Sequence, residues 1–189
     1  MKKILLLVCG VLLSLHVHAR DVADVRVAET VQLGGTNLQL NGAGTRTRVI
    51  IDVYVAALYL GAKTDKADAV MADPGNKRVA LHMLYGMKSS KLLDAFKVAI
   101  ENNHSAAELL PLDARLKKFY AIFEAVSGVS PGDVILLDYL PATGTKVSIN
   151  GVERGVIEGA DIHRALLKIW LGAKPVEESL KLDLLGVKH

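Results

Sequence analysis

"LQLNGAGTRTRVIIDVYVAALYL", residues 38 to 60, opens on glycines, continues through two arginines and ends in a β-branched apolar run. Three readings compete for it: a phosphate loop, an arginine anion site, and a hairpin with a solvated corner. A phosphate loop leads its glycines into a helix N-terminus, where free N–H groups and the helix dipole meet the anion. Here Gly42-Ala43-Gly44 leads into a strand-forming run. It has no Lys-Ser/Thr after it and no third glycine in dinucleotide register, which argues against a nucleotide site. A tight turn that needs glycine at positive φ accounts for the same residues.

The run from Thr45 to Leu60 reads as one long strand. Its odd positions, Val49, Ile51, Val53, Val55 and Ala57, make an uninterrupted apolar face, whereas the even positions carry Arg46, Arg48, Asp52 and Tyr54. The plain reading of the polar face is a solvated sheet surface with Arg48 and Asp52 loosely paired. The functional reading is an acid-binding cleft with Arg46, Arg48 and Tyr54 as ligand-binding residues, a guanidinium fork beside a phenol. A straight strand would hold Arg46 and Tyr54 about 26 Å apart, at roughly 3.3 Å per residue, so a shared ligand head requires a bend or bulge between them.

Outward from this stretch, Thr30 to Leu33 and Asn37 to Leu40 flank the hairpin-like break Gly34-Gly35, and Lys77 to Leu84 alternates as a further strand. A short helix is expected within Asp65 to Ala72, stopped by Asp73-Pro74-Gly75. The period then changes to helical. Ser90 can cap a helix carrying Leu92, Leu93, Phe96, Ala99 and Ile100 on one face, and Leu112, Leu116, Phe119, Phe123 and Val126 repeat the pattern. Asp133 to Leu140 returns to strand, and Lys146 to Ile149 and Val152 to Ile157 flank Asn150-Gly151, a strong hairpin signal. A helix from about Gly159 to Leu171 follows, and Pro175 opens a last one with Glu177 and Glu178 in its first turn. Blocks of strands alternating with blocks of helices predict an α+β fold: a mostly antiparallel sheet with a layer of helices on one face.

The amino terminus reads differently. Lys2 and Lys3 precede an apolar run from Ile4 to Leu15, and Val17-His18-Ala19 offers small residues for a signal peptidase. The run is well short of the roughly 20 residues that span a bilayer as a helix. The expectation is a signal peptide over residues 1 to 19, export to the periplasm, no stable membrane span after cleavage, and a single domain over residues 20 to 189. Cleavage after Ala19 removes Cys9, the one cysteine, so the mature chain folds without disulfides. It also removes Lys2 and Lys3, turning 23 Lys+Arg against 20 Asp+Glu into 21 against 20. That near-neutral balance gives no support to a nucleic-acid partner.

Other chemistry is sparse. His82, His104, His163 and His189 make no pair at metal-ligand spacing, and Glu158, Asp161 and His163 form a loose group at a helix start where acids are favoured by the dipole. Ser89, Ser90 and Ser130 lie in no nucleophile-elbow context. No catalytic residue, cofactor or metal is assigned. Trp170 reads as packing on an apolar stripe rather than as a ligand contact.

Three segments, "NGAGTR", "VYVAALYL" and "GVIEGADIHRALLKIWLGAKP", resemble the chalcone isomerase superfamily, and most its bacterial, exported chalcone isomerase-like branch. The resemblance runs from about Val27 to Gly186. It implies an antiparallel sheet under a helical layer with a ligand cleft between them. The arginine that supports substrate in the plant enzymes matches Arg46, and the enzymes' strand threonine matches Tyr54. Their helix tyrosine and asparagine fall near Leu92 and Ala99, and the Ser/Thr of the closing helix falls on His163. Those three positions depart from the enzymes, and leucine and alanine cannot stabilise a developing enolate. The superfamily also contains non-catalytic fatty-acid-binding members in which arginine and tyrosine hold the carboxylate. The resemblance therefore implies a periplasmic binding protein for a fatty acid or similar small amphipathic acid. An isomerase or lyase using the same cleft, with Tyr54 or His163 as acid or base, and an envelope structural protein with a vestigial cleft are the alternatives.

Overall fold

The computed structural model describes residues 19 to 187. The expected signal peptide lies outside the described residues except for Ala19. In chain order the strands are β1 (Ala19–Val22), β2 (Val25–Ala28), β3 (Thr30–Leu33), β4 (Thr36–Arg48) and β5 (Ile51–Leu60), then β6 (Lys77–Met83), β7 (Met87–Lys88), β8 (Gly128–Val129), β9 (Val134–Leu140), β10 (Gly144–Ile149) and β11 (Val152–Ile157). The helices are α1 (Ala67–Ala72), α2 (Ser89–Asn102), α3 (Ala106–Leu109), α4 (Asp113–Glu124), α5 (Ala160–Leu171) and α6 (Glu178–Leu184). Seven strands form one antiparallel sheet in the order β11-β10-β9-β6-β5-β4-β3. This is the α+β architecture expected from the alternation of periods.

The long strand expected over Thr45 to Leu60 is two strands. The chain reverses at Val49-Ile50, and β4 and β5 pair antiparallel. Val49 and Ile50 are 92% and 89% exposed at the hairpin tip. The expected apolar odd face therefore does not exist as one surface. In β5 both faces are buried: Tyr54, Ala56, Leu58 and Leu60 join the core under the helices, whereas Val55, Ala57 and Tyr59 join a second cluster with Val27, Leu38 and Leu40. That second cluster also takes in partly buried residues of the β1–β2 hairpin, Val22 and Val25, on the face away from the helices. A central strand covered on both faces loses the alternation that marks a half-exposed one.

Gly42 and Gly44 are not turn residues. Both lie within β4, and neither has positive φ. A Cβ on Gly42 would overlap the Asp183 and Leu184 backbone, and one on Gly44 would overlap the Asp183 side chain. The glycines are there because α6 lies directly on the strand. Asn41 is the extra residue of a bulge between Leu40 and Gly42. Its Nδ2 donates to Leu184 O at 2.7 Å and to Thr64 O at 3.0 Å, tying the end of α6 to the sheet. Gly34 and Gly35, by contrast, do have positive φ, 55° and 76°, and join β3 to β4 as expected.

Smaller corrections follow from side-chain bonding. Ser90 is not a cap: α2 starts at Ser89, whose Oγ donates to Val126 O and ties the helix start to the end of α4. Helix α6 starts at Glu178 rather than at Pro175, with Glu177 in extended backbone at its N-cap. The short helix α3 was not expected from the apolar pattern, and it is held by a capping box between Ser105 and Glu108. The core between sheet and helices is aromatic at its centre. Phe96, Phe119, Phe123 and Trp170 make contacts with ring centroids 5.2 to 6.4 Å apart, each contributing about 0.5–1.5 kcal/mol beyond area burial.

Candidate functional site

The reversal at Val49-Ile50 removes the distance problem between Arg46 and Tyr54. The two residues are direct register partners across the β4–β5 hairpin. Val53 is the extra residue of a second bulge beside this pair, and its carbonyl accepts from Leu84 N–H and Tyr85 N–H instead of from β4. The bulge shifts the register of the two pairs that follow it, Thr47 with Asp52 and Arg48 with Ile51.

Tyr54 is buried against the helical core. Its hydroxyl accepts a hydrogen bond from the Trp170 indole Nε1–H at 3.0 Å. Burial pushes the phenol up to about 12, against the smaller opposing pulls of the Trp170 hydrogen bond and the Arg46 guanidinium. At neutral pH the Tyr54 phenol is therefore neutral. Trp170 is more than packing: it is fully buried, touches Phe96 edge-on, and positions the tyrosine hydroxyl. Its position on α5 was legible as apolar, but its hydrogen-bonding role was not.

Arg46 is half-buried and already holds a carboxylate. Its Nη1 donates to Glu177 Oε2 at 3.1 Å and to Thr47 O at 3.0 Å. The same Oε2 accepts from the Thr47 backbone N–H at 2.9 Å, and Ser179 Oγ donates to the other oxygen at 2.9 Å. Glu177 therefore occupies the place in which a ligand carboxylate would meet Arg46. Sequence reasoning assigned Glu177 only to the helix dipole.

Arg48 does not join this group. It is exposed beside the hairpin tip, paired in register with Ile51. The expected pairing of Arg48 with Asp52 is not made: Asp52 accepts from Thr47 Oγ1 at 2.7 Å. Leu92 and Ala99 are buried in the main core and offer only hydrocarbon. His163 lies seven residues before Trp170 on α5, roughly 10 Å along the helix axis. It faces Thr145 and Tyr139 instead of Tyr54. Among the described residues, no group of three or more His, Cys, Asp or Glu could hold a metal ion, and Asp161 is bound by Arg115. No helix among them is long and apolar enough to cross a membrane.

Two of the cavities among the described residues lie away from this pair. One, of about 100 Å³, lies between Lys77, Tyr139, His163 and Arg164. The other, of about 540 Å³, is a shallow depression near Leu38, Leu60, Lys63 and Asn76. Arg46 and Tyr54 line neither.

An antiparallel sheet carrying helices on one face, with an arginine and a buried tyrosine paired on its central strands, defines an open-faced α+β fold. The family model described as chalcone isomerase-like matches residues 19–186, and the chain belongs to that family. No curated protein sequence matches it significantly. Among solved structures, it is similar to a fatty-acid binding protein of Arabidopsis thaliana, with a TM-score of 0.60 and 18% identity over 83% of this chain and 96% of that one. At that identity the likeness shows the shared fold.

Proposed function

We propose that the protein binds a fatty acid or a similar long-chain carboxylate, with the head group on Arg46 and Tyr54. The observation that carries this reading is the register pairing of Arg46 with Tyr54, which puts a guanidinium beside a neutral phenol. Trp170 fills one acceptor site of the phenol oxygen, leaving its own O–H to donate. A carboxylate bridging guanidinium and phenol would gain charge-assisted hydrogen bonds from both. The fatty-acid-binding role of the structurally similar plant protein supports the same class of ligand.

Binding so defined requires rearrangement. Pockets for drug-sized ligands are typically about 300–1,000 Å³, and the core around Tyr54 and Trp170 is packed with side chains. The tail enters as Glu177 leaves Arg46 and the start of α6 lifts from β4. Arg48 is a minor contributor in this account, acting through its charge near the hairpin tip. Chalcone-type cyclisation lacks support from the same geometry, since Leu92 and Ala99 supply no donors and Tyr54 keeps its proton.

The lysine pair, apolar run and Val17-His18-Ala19 support export with cleavage before Arg20, and hence a bacterial periplasmic setting. Cell fractionation with N-terminal sequencing tests this: a mature chain starting at Arg20 is expected, and an intact membrane-held Met1 precursor contradicts it. For the ligand, the purified protein is extracted with organic solvent and the extract analysed by mass spectrometry. Recovery of a stoichiometric long-chain acid is expected, and failure of added fatty acid to bind at all contradicts the proposal.

A further inference from the structure

At the other end of α5 from Trp170, the small cavity is lined by Lys77, Tyr139, His163, Arg164, Asp73 and Leu167. His163 is 2% exposed. Its Nδ1 is hydrogen bonded to Thr145 Oγ1 at 3.1 Å, and its ring stacks on Tyr139 with centroids 4.4 Å apart and planes 17° from parallel. Thr145, the partner of Nδ1, does not line the cavity, whereas His163 does. The ring's other nitrogen, Nε2, is buried and has no hydrogen-bond partner within the protein. A buried imidazole nitrogen without a partner is destabilising unless something bonds it.

The charges around the cavity determine what fits. Lys77 is 1% exposed, donates to Asp73 O and to Gly75 O at 3.0 Å, and lies 3.6 Å from Asp73 Oδ2. Asp73, partly exposed, is its one ion-pair partner among the described residues. Arg164 has no ion-pair partner among the described residues. Two cations therefore face one carboxylate. Burial and the fields of Lys77 and Arg164 hold His163 down to about 3, so the imidazole is neutral. The Thr145 hydroxyl can donate to Nδ1 or accept from it; when it donates, the ring proton sits on Nε2 and is a donor without an acceptor in the protein. At about 100 Å³ the cavity has room for more than one water-sized group, and hence for a small ion.

We propose that this cavity is a second binding site, separate from the Arg46–Tyr54 pair, for a small oxyanion of the carboxylate or phosphate class. Its Nε2–H donor is His163, its open cation is Arg164, and Lys77 supplies a fixed positive field. Met71, Pro74 and Leu167 give the cavity an apolar wall, which weakens competition from bulk water for these bonds.

The test is nuclear magnetic resonance of the full mature protein with ¹⁵N-labelled histidine, titrated separately with inorganic phosphate and with acetate. The expected result is a His163 ring protonated at Nε2 and a saturable shift of that signal with one of the two anions at millimolar concentration. Arg164→Gln alters an exposed side chain and should leave folding intact, while weakening anion binding about tenfold, equivalent to about 1.4 kcal/mol. Arg46→Ala should leave it unchanged, which separates this site from the proposed fatty-acid site. A His163 tautomer protonated at Nδ1 would overturn the proposal, because Nε2 would then need a donor such as water. So would the absence of a saturable shift with either anion, or equal binding by wild type and Arg164→Gln.

Discussion

The Trp170 indole donates to the Tyr54 hydroxyl at 3.0 Å across the packed core, joining α5 to the β4–β5 hairpin at the point where Arg46 and Tyr54 meet. One hydrogen bond thus links the closing helix to the candidate binding pair. Tyr54→Phe leaves the buried indole N–H without its acceptor, and should destabilise the fold by about 1–3 kcal/mol. Trp170→Phe removes this donor to the hydroxyl and shrinks the aromatic packing on Phe96, so its cost should be larger. Chemical denaturation of the two single mutants and the double mutant checks this. The coupling predicts a double mutant less destabilised than the sum of the singles.

Gly44 is held to glycine by α6 rather than by its own backbone angles. Gly44→Ala drives a methyl group into Asp183 and should cost about 1–3 kcal/mol in overpacking. Thermal unfolding measures the loss. Amide hydrogen exchange should locate it, with faster exchange in α6 than in α2 or α4.

Val49 has φ 61°, a left-handed angle that a β-branched side chain tolerates poorly, and it is almost fully exposed. Val49→Gly should therefore stabilise the protein or leave it unchanged, because relief of strain offsets the added entropy of the unfolded chain. A clear loss in denaturation midpoint would show that the tip side chain makes a contact of its own.

Val49 also explains what the sequence concealed. The hairpin at Gly34-Gly35 and the one at Asn150-Gly151 were legible because both use residues suited to positive φ. Val49-Ile50 has none of that chemistry, so its reversal looked like uninterrupted strand. The error carried into the site: with one long strand, Arg46 and Tyr54 were far apart and Arg48 shared their face. Once the turn is placed, Arg46 and Tyr54 meet and Arg48 faces solvent. The glycines at 42 and 44 were misread for a related reason. Their requirement comes from Asp183 and Leu184, more than a hundred residues away, and no local pattern reports such a contact. The sheet and the main helices were legible from period, and the resemblance named Arg46 and Tyr54 without the hairpin that pairs them. The roles of Trp170 and Glu177 were not, because each depends on a partner over a hundred residues distant.

His163 predicts a pH dependence. Its pKa falls from the usual 6.5 to about 3 in the folded protein, first through burial and then through Lys77 and Arg164. Between those values the unfolded chain binds the proton and the folded chain does not, so stability falls as pH drops below about 6.5. The slope from this one group approaches about 1.4 kcal/mol per pH unit. Denaturation curves from pH 7 to 4 should show the decline, and His163→Gln should flatten it. Histidine resonances of the wild type report the same quantity directly: His163 should remain neutral down to pH 4.

The central claim is that Arg46 is a carboxylate-binding residue held in reserve by Glu177. Titration calorimetry with a long-chain fatty acid on wild type, Arg46→Ala and Glu177→Gln tests it most directly, with circular dichroism confirming that each variant is folded. Arg46→Ala should weaken binding by about 1.5–3 kcal/mol, the worth of a hydrogen bond to a charged group. Glu177→Gln removes the resident carboxylate that the ligand must displace, and should tighten binding; Arg48→Ala should change it little. Affinity unaltered by Arg46→Ala, or lowered by Glu177→Gln, would contradict the account and return this pair to an ordinary ion pair between strand and helix.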